Sequence, residues 1–113
     1  MPMTPDDFRT LALALPGAVE RSHMNHPDFR VGGKIFASLG PNSDWGMVKV
    51  SPEEQARLRQ EDPAAFAPIP GAWGRRGCTR VRLESATRDS VREALFLAWR
   101  FTAPKRLLRE LEG

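Results

Sequence analysis

The stretch HPDFRVGGKIFASLG, residues 26–40, decides how this chain folds. Two runs rich in strand-forming residues flank Gly32 and Gly33, and glycines between such runs mark a β-hairpin. Phe29 and Val31 alternate with Arg30. Beyond the glycines, Ile35, Ala37 and Leu39 alternate with Lys34, Phe36 and Ser38. Loop length sets the register, and a slip of one residue turns every side chain to the other face. A two-residue turn pairs Val31 with Lys34 and mixes apolar with charged groups. A three-residue loop through Lys34 pairs Val31 with Ile35 and Phe29 with Ala37, giving a clean apolar face. The three-residue loop is the expected one.

Outward from the hairpin, the N-terminal side carries a helix. Thr4 is a capping residue, Pro5 suits the first helical position, and Asp6 and Asp7 complement the helix dipole. Phe8, Leu11, Ala12 and Leu15 recur at helical spacing until Pro16-Gly17 stops the run. Residues 19–24 are compatible with a short first strand. On the other side, residues 41–44 (PNSD) form a turn. Residues 45–50 form a strand with Val48 and Val50 inward and Met47 and Lys49 outward. Ser51 and Glu54 have the spacing of a capping box for a second helix ending near Gln60. Residues 61–77, broken by prolines and glycines, are expected to be irregular. Thr79, Val81 and Leu83 alternate with Arg80 and Arg82 as in a half-buried strand. Thr87 caps a third helix whose ALFLAW segment (residues 94–99) is apolar nearly all round, making it the central packing element. Pro104 breaks it, and residues 105–111 form a tail helix with Leu107, Leu108 and Leu111 on one side. The order predicts an α+β fold: a two-layer sandwich with an antiparallel sheet and helices on one face.

Length and composition bound the function. A chain of 113 residues makes one domain, residues 1–113, with a modest core. No apolar run approaches the ~20 residues that span a bilayer. MPMTPDDF lacks a basic segment followed by an apolar one, so a cytoplasmic protein without membrane association is expected. Cys78 is the only cysteine, which excludes an internal disulfide and a cysteine zinc site. Net charge is +3, unevenly distributed. Residues 1–74 hold 7 Lys/Arg against 9 Asp/Glu, while residues 75–113 hold 10 against 5. A basic excess in the last third marks either an anionic partner or a solvated face.

Five stretches together resemble the MmcQ/YjbR family of small bacterial proteins. They are Leu15-Pro16-Gly17 followed by Glu20, HPDFRVGGKIFA, Trp45 with Val48-Lys49, GAWGRRGCTRVRL (residues 71–83), and the run from Ala98-Trp99 to Ala103-Pro104-Lys105. They occur in the family's order and span nearly the whole chain. The resemblance implies a CyaY-like two-layer fold, α-β(3)-α-β(2)-α, in agreement with the order read from the residues. It also implies a DNA-binding role of the kind suggested for the family through projecting wing-like hairpins, and it carries over no catalytic residue set. Cys78 stands where the family pattern leads one to expect an aromatic or small residue, which bears on local loop packing.

The alternation makes a functional prediction of its own. If Val31, Ile35, Ala37, Val48, Val50, Val81 and Leu83 face the helices, the other face gathers Arg30, Lys34, Phe36, Trp45, Met47, Lys49, Arg80 and Arg82. Cations there would neutralise phosphates, and rings could stack on unpaired bases. The same face could instead be solvated, or covered by the tail helix or a second subunit. Arg75 and Arg76 sit in a glycine-bounded loop that would let guanidinium forks approach phosphate, or would pair with nearby carboxylates. The GxxxxGK[ST] phosphate-loop spacing is missing.

Weaker constellations remain. His23, His26 and Asp28 are metal-ligand types, but a stable site needs three or four converging ligands. Cys78 has no matched histidine base. Nothing in the spacing brings Glu20 to Asp28 or Glu84 as an acid–base pair. The expectation is a protein with no catalytic activity and no cofactor or metal. It binds DNA or another polyanion through Arg30, Lys34, Lys49, Arg80 and Arg82, with Arg75 and Arg76 on a projecting loop. The alternative is a protein-interaction or homodimerisation module.

Overall fold

The structure, a computed structural model, describes residues 3–23, 26–40 and 45–112. Helix α1 (Pro5–Leu13) is followed by strands β1 (Val19–His23), β2 (His26–Val31), β3 (Lys34–Leu39) and β4 (Trp45–Lys49). Then come helix α2 (Pro52–Glu61), strand β5 (Phe66–Pro68), helix α3 (Ala72–Arg75), strand β6 (Cys78–Arg82), and helices α4 (Arg88–Thr102) and α5 (Lys105–Glu112). The six strands form one sheet in the order β1-β2-β3-β4-β6-β5, with all neighbouring strands antiparallel. The α+β class and antiparallel sheet match the expected fold. The short first strand and the tail helix read from the residues are present as β1, at the sheet edge, and α5, outside the α-β(3)-α-β(2)-α frame, and the structure adds the short helix α3. The expected turn at residues 41–44 and the Met24 end of the first strand lie outside the described residues, as does the side chain of Leu111.

The hairpin corrects the expected loop. Val31 pairs with Lys34 and Arg30 with Ile35, so Gly32 and Gly33 form a two-residue turn. Both have positive φ, +59° and +81°, as a type I′ turn demands and as glycine supplies without steric cost. The register then shifts by one, and Phe29 pairs with Ala37 as the apolar pattern requires. The extra residue is a β-bulge, which re-aims side chains. Its result is an exchange of roles. Phe36 is 0 % exposed and lies in the core, whereas Ile35 is 37 % exposed on the other face. Val31, Ala37, Val48, Val50, Val81 and Leu83 are buried as expected.

Helices α1 and α4 cover one face of the sheet. Phe8 and Phe29 meet with ring centroids 5.9 Å apart, joining α1 to β2. Trp99 of α4 is fully buried, and its indole N–H donates to the Pro16 carbonyl at 2.8 Å, which satisfies the ring's one polar group. Thr4 and Asp7 form a complete capping box on α1, and Thr87 with Ser90 does the same on α4. On α2 only half the expected box is made. Ser51 accepts from the Glu54 N–H, but the Glu54 carboxylate is held by Arg57 at 2.6 and 3.0 Å. A charge-assisted fork outcompetes the neutral backbone donor.

Residues 61–77 are more ordered than their breakers imply. β5 pairs with β6, placing Phe66 opposite Val81 in the core, and Pro68 ends it at the sheet edge where a missing N–H is tolerated. The GAWGRRG stretch folds into α3 rather than a flexible projecting loop. Gln55, buried on α2, donates to the carbonyls of Gly74 at 2.9 Å and Cys78 at 3.1 Å and ties the middle of the stretch and the residue after it to the body.

Candidate functional site

The face of the sheet turned away from α1 and α4 is set by cross-strand pairs. Arg30 stands opposite Val19 and Ile35, Met47 opposite Ser38 and Arg80, Trp45 opposite Arg82, and Lys49 opposite Cys78. Above it runs an open groove of about 640 Å³. Ile35, Ser38, Trp45, Met47, Ile69, Trp73 and Cys78 line it, with Arg30, Lys34 and Lys49 among them. A second cavity, of about 510 Å³, adjoins Trp45 and is lined by Arg80, Arg82, Glu84, Leu83 and residues 3–5. Trp45 is common to both.

Six of the seven expected site cations keep their charge unmatched among the described residues. The exception is Arg30, whose Nε and Nη2 donate to the two carboxylate oxygens of Asp28 at 2.9 and 3.2 Å. The hydrogen bond to Asp28 raises the Arg30 pKa, so the guanidinium stays protonated but is electrically spent. Lys34, expected on this face, pairs instead with buried Val31 and leaves the strand on the helix-covered side, exposed at the hairpin tip where it borders the groove. Lys49 is half-buried opposite Cys78, and Arg82 is exposed. Arg80 is half-buried with its guanidinium carbon 5.1 Å from the Trp45 ring centroid, and its shielded Nε has no hydrogen-bond partner among the described residues. Arg75 and Arg76 are exposed on α3, Arg76 lying 5.7 Å from the Trp73 centroid. The structure therefore gathers Arg30, Lys34 and Lys49 at the groove, Arg80 and Arg82 beside Trp45, and Arg75 and Arg76 behind Trp73.

The two tryptophans differ in access. Trp45 lies on the backbone of Gly40, where an added Cβ would stand 2.4 Å from Cε2, and Arg80 also covers the ring. Trp73 is 61 % exposed. Trp73 was not among the expected site residues; its position in a short arginine-rich segment between glycines is the signal that could have singled it out. The Arg30–Asp28 pair was legible too, since residues two apart on a strand share a face. Phe36, expected on this face, belongs to the core.

The weaker candidates stay apart. Among the described residues no three His, Cys, Asp or Glu side chains come together as metal ligands. Glu20 accepts from Arg9 Nε at 2.8 Å rather than meeting Asp28 or Glu84. Burial pushes the Cys78 thiol pKa up, against a smaller opposing effect of Lys49, which favours the unreactive protonated form. Among the described residues no helix is long and apolar enough to cross a membrane.

Comparison with known proteins bears on the fold and family. The chain is similar to a crystal structure of the Deinococcus radiodurans protein DR2400, which carries a domain classed as DUF419. The TM-score is 0.72 at 24% identity, covering 97% of this chain and 88% of that one. At that identity the likeness speaks to the fold. No curated protein matches. The family model for YjbR matches residues 13–101, a span that runs from the end of α1 through nearly all of α4 and contains the whole sheet and its groove. On that match the chain belongs to the YjbR family.

Proposed function

We propose that this protein binds DNA or another polyanion through the open sheet face, without catalysing a reaction. The observation that carries the reading is unmatched charge gathered around an apolar groove. Arg9, Arg57, Arg88 and Arg92 meet carboxylates, as does Arg30. Arg59 on α2, Arg100 on α4 and Lys105, Arg106 and Arg109 on α5 meet none among the described residues, so position beside the groove sets the site cations apart. Lys34, Lys49, Arg75, Arg76, Arg80 and Arg82 meet none among the described residues. Cations kept free beside an apolar groove do little for folding and are suited to phosphate.

A filter-binding titration over a range of salt tests this. Micromolar affinity should fall with salt at a log–log slope of about 0.9 per phosphate neutralised. Lys34→Gln and Arg82→Gln should each weaken binding uniformly across sequences and lower that slope by about one. Absence of salt-sensitive DNA affinity at micromolar protein would sink the reading. A second reading, docking of another protein or a second copy, is favoured by Val19, Ile35 and Trp73 exposed around the same face. Light scattering that shows a stable dimer at micromolar concentration would support it.

A further inference from the structure

Resting on that reading, we infer that the groove is a seat for one unstacked base, so that the ligand is a single strand rather than a duplex. The groove of about 640 Å³ falls within the range of roughly 300–1,000 Å³ usual for small-molecule sites. Its walls are mostly apolar, with Ile35, Met47 and Ile69 beside Trp73. A phosphate cannot shed its water into such walls without compensation, whereas a nucleobase presents an apolar face to them. Lys49 lines the groove opposite Cys78 and Lys34 borders it at the hairpin tip, so cations stand at the groove for the phosphates flanking the base.

Of the two rings here, only Trp73 is free to stack. Trp45 is occupied by Gly40 and Arg80. Arg76 lies over the Trp73 ring as Arg80 lies over Trp45, but Trp73 lacks the backbone cover that Gly40 gives Trp45 and is 61 % exposed. A duplex keeps its base faces stacked and paired, so it could reach the lysines but could not fill the groove.

The test measures anisotropy of a labelled oligothymidylate of about twelve nucleotides, and of a duplex of the same length, binding the full chain at low salt. The single strand should bind at least about tenfold more tightly than the duplex. Trp73→Ala should cost the single strand about tenfold in affinity and leave the duplex unaffected, while Trp73→Phe keeps most of it. Circular dichroism confirms that each variant is folded. If the duplex binds equally well, or Trp73→Ala is silent while salt-sensitive binding persists, the base seat is overturned and the polyanion reading stands. If neither nucleic acid binds, both fall. A stable dimer that shields Trp73 from a collisional quencher would then identify a second copy as the occupant.

Discussion

Val81 and Arg80 are neighbours on β6, yet they belong to two different environments. Val81 lies with Gly46 and Phe66 under the helices, fully buried. Arg80 lies with Met47 and Ala67 on the bare face, its Nε unpartnered among the described residues. The covered face is apolar, and the Trp99 N–H buried within it is satisfied by the Pro16 carbonyl. The bare face combines exposed apolar groups with unmatched cations, a combination that contributes little to stability and so points to a role outside folding. One face shows what holds the molecule together; the other is the surface on which the proposed binding rests.

The sharpest way to break this division is at the bulge, where consecutive residues fall on opposite sides. Phe36→Ala should cost about 3–5 kcal/mol, as for other fully buried phenylalanines, while Ile35→Ala should cost about 1 kcal/mol or less. Urea denaturation of the two variants checks this; a reversed order would restore the three-residue loop and return Phe36 to the bare face. Next in size is Gln55→Leu. It removes the donor to two carbonyls and should cost about 1–3 kcal/mol, with Trp73 emission shifting as α3 loosens. On the bare face, Arg82→Gln should change stability by no more than about 0.5 kcal/mol, whatever it does to binding. A larger loss in thermal denaturation would mean that this charge serves the fold.

The smallest effect lies far from the sheet. The Asp7 pKa is drawn below its ordinary 3.8, chiefly by the hydrogen bond from the Thr4 backbone, then by the Thr4 side chain. A carboxylate whose folded pKa is depressed contributes fully above its unfolded value, and the contribution fades as pH falls through the folded one. Acid titration followed by helicity should therefore show a slight early loss below about pH 4 that Asp7→Asn abolishes.

Much of the fold was legible in the chain because alternation is a strong signal where strands are regular. Val48 and Val50, and Val81 and Leu83, lie where period two places them. The pattern failed at Ile35 and Phe36 because a bulge breaks the period. The register the apolar residues demanded and the turn the glycines demanded are both present, reconciled by one extra residue. β5 and α3 are too short to carry a period, at three and four residues, and they depend on long-range partners such as Val81 and Gln55. Lys49, Arg80 and Arg82 followed from alternation on β4 and β6. What the chain did not disclose was their pairing. Asp28 cancels Arg30 and Gly40 closes Trp45, and both depend on three-dimensional contacts that leave Trp73 as the available ring.

The Gly32 turn has a mechanical consequence. A Cβ there would stand 2.6 Å from Cγ of Pro104, so the tip of the hairpin rests on the joint between α4 and α5. Lys34, at that tip, lines the groove. Displacement of the C-terminal helix is therefore expected to reach the groove rim through this contact. Hydrogen exchange should find the amides of α5 opening in concert with those around Lys34, and an occupant of the groove should slow exchange in a helix it never touches.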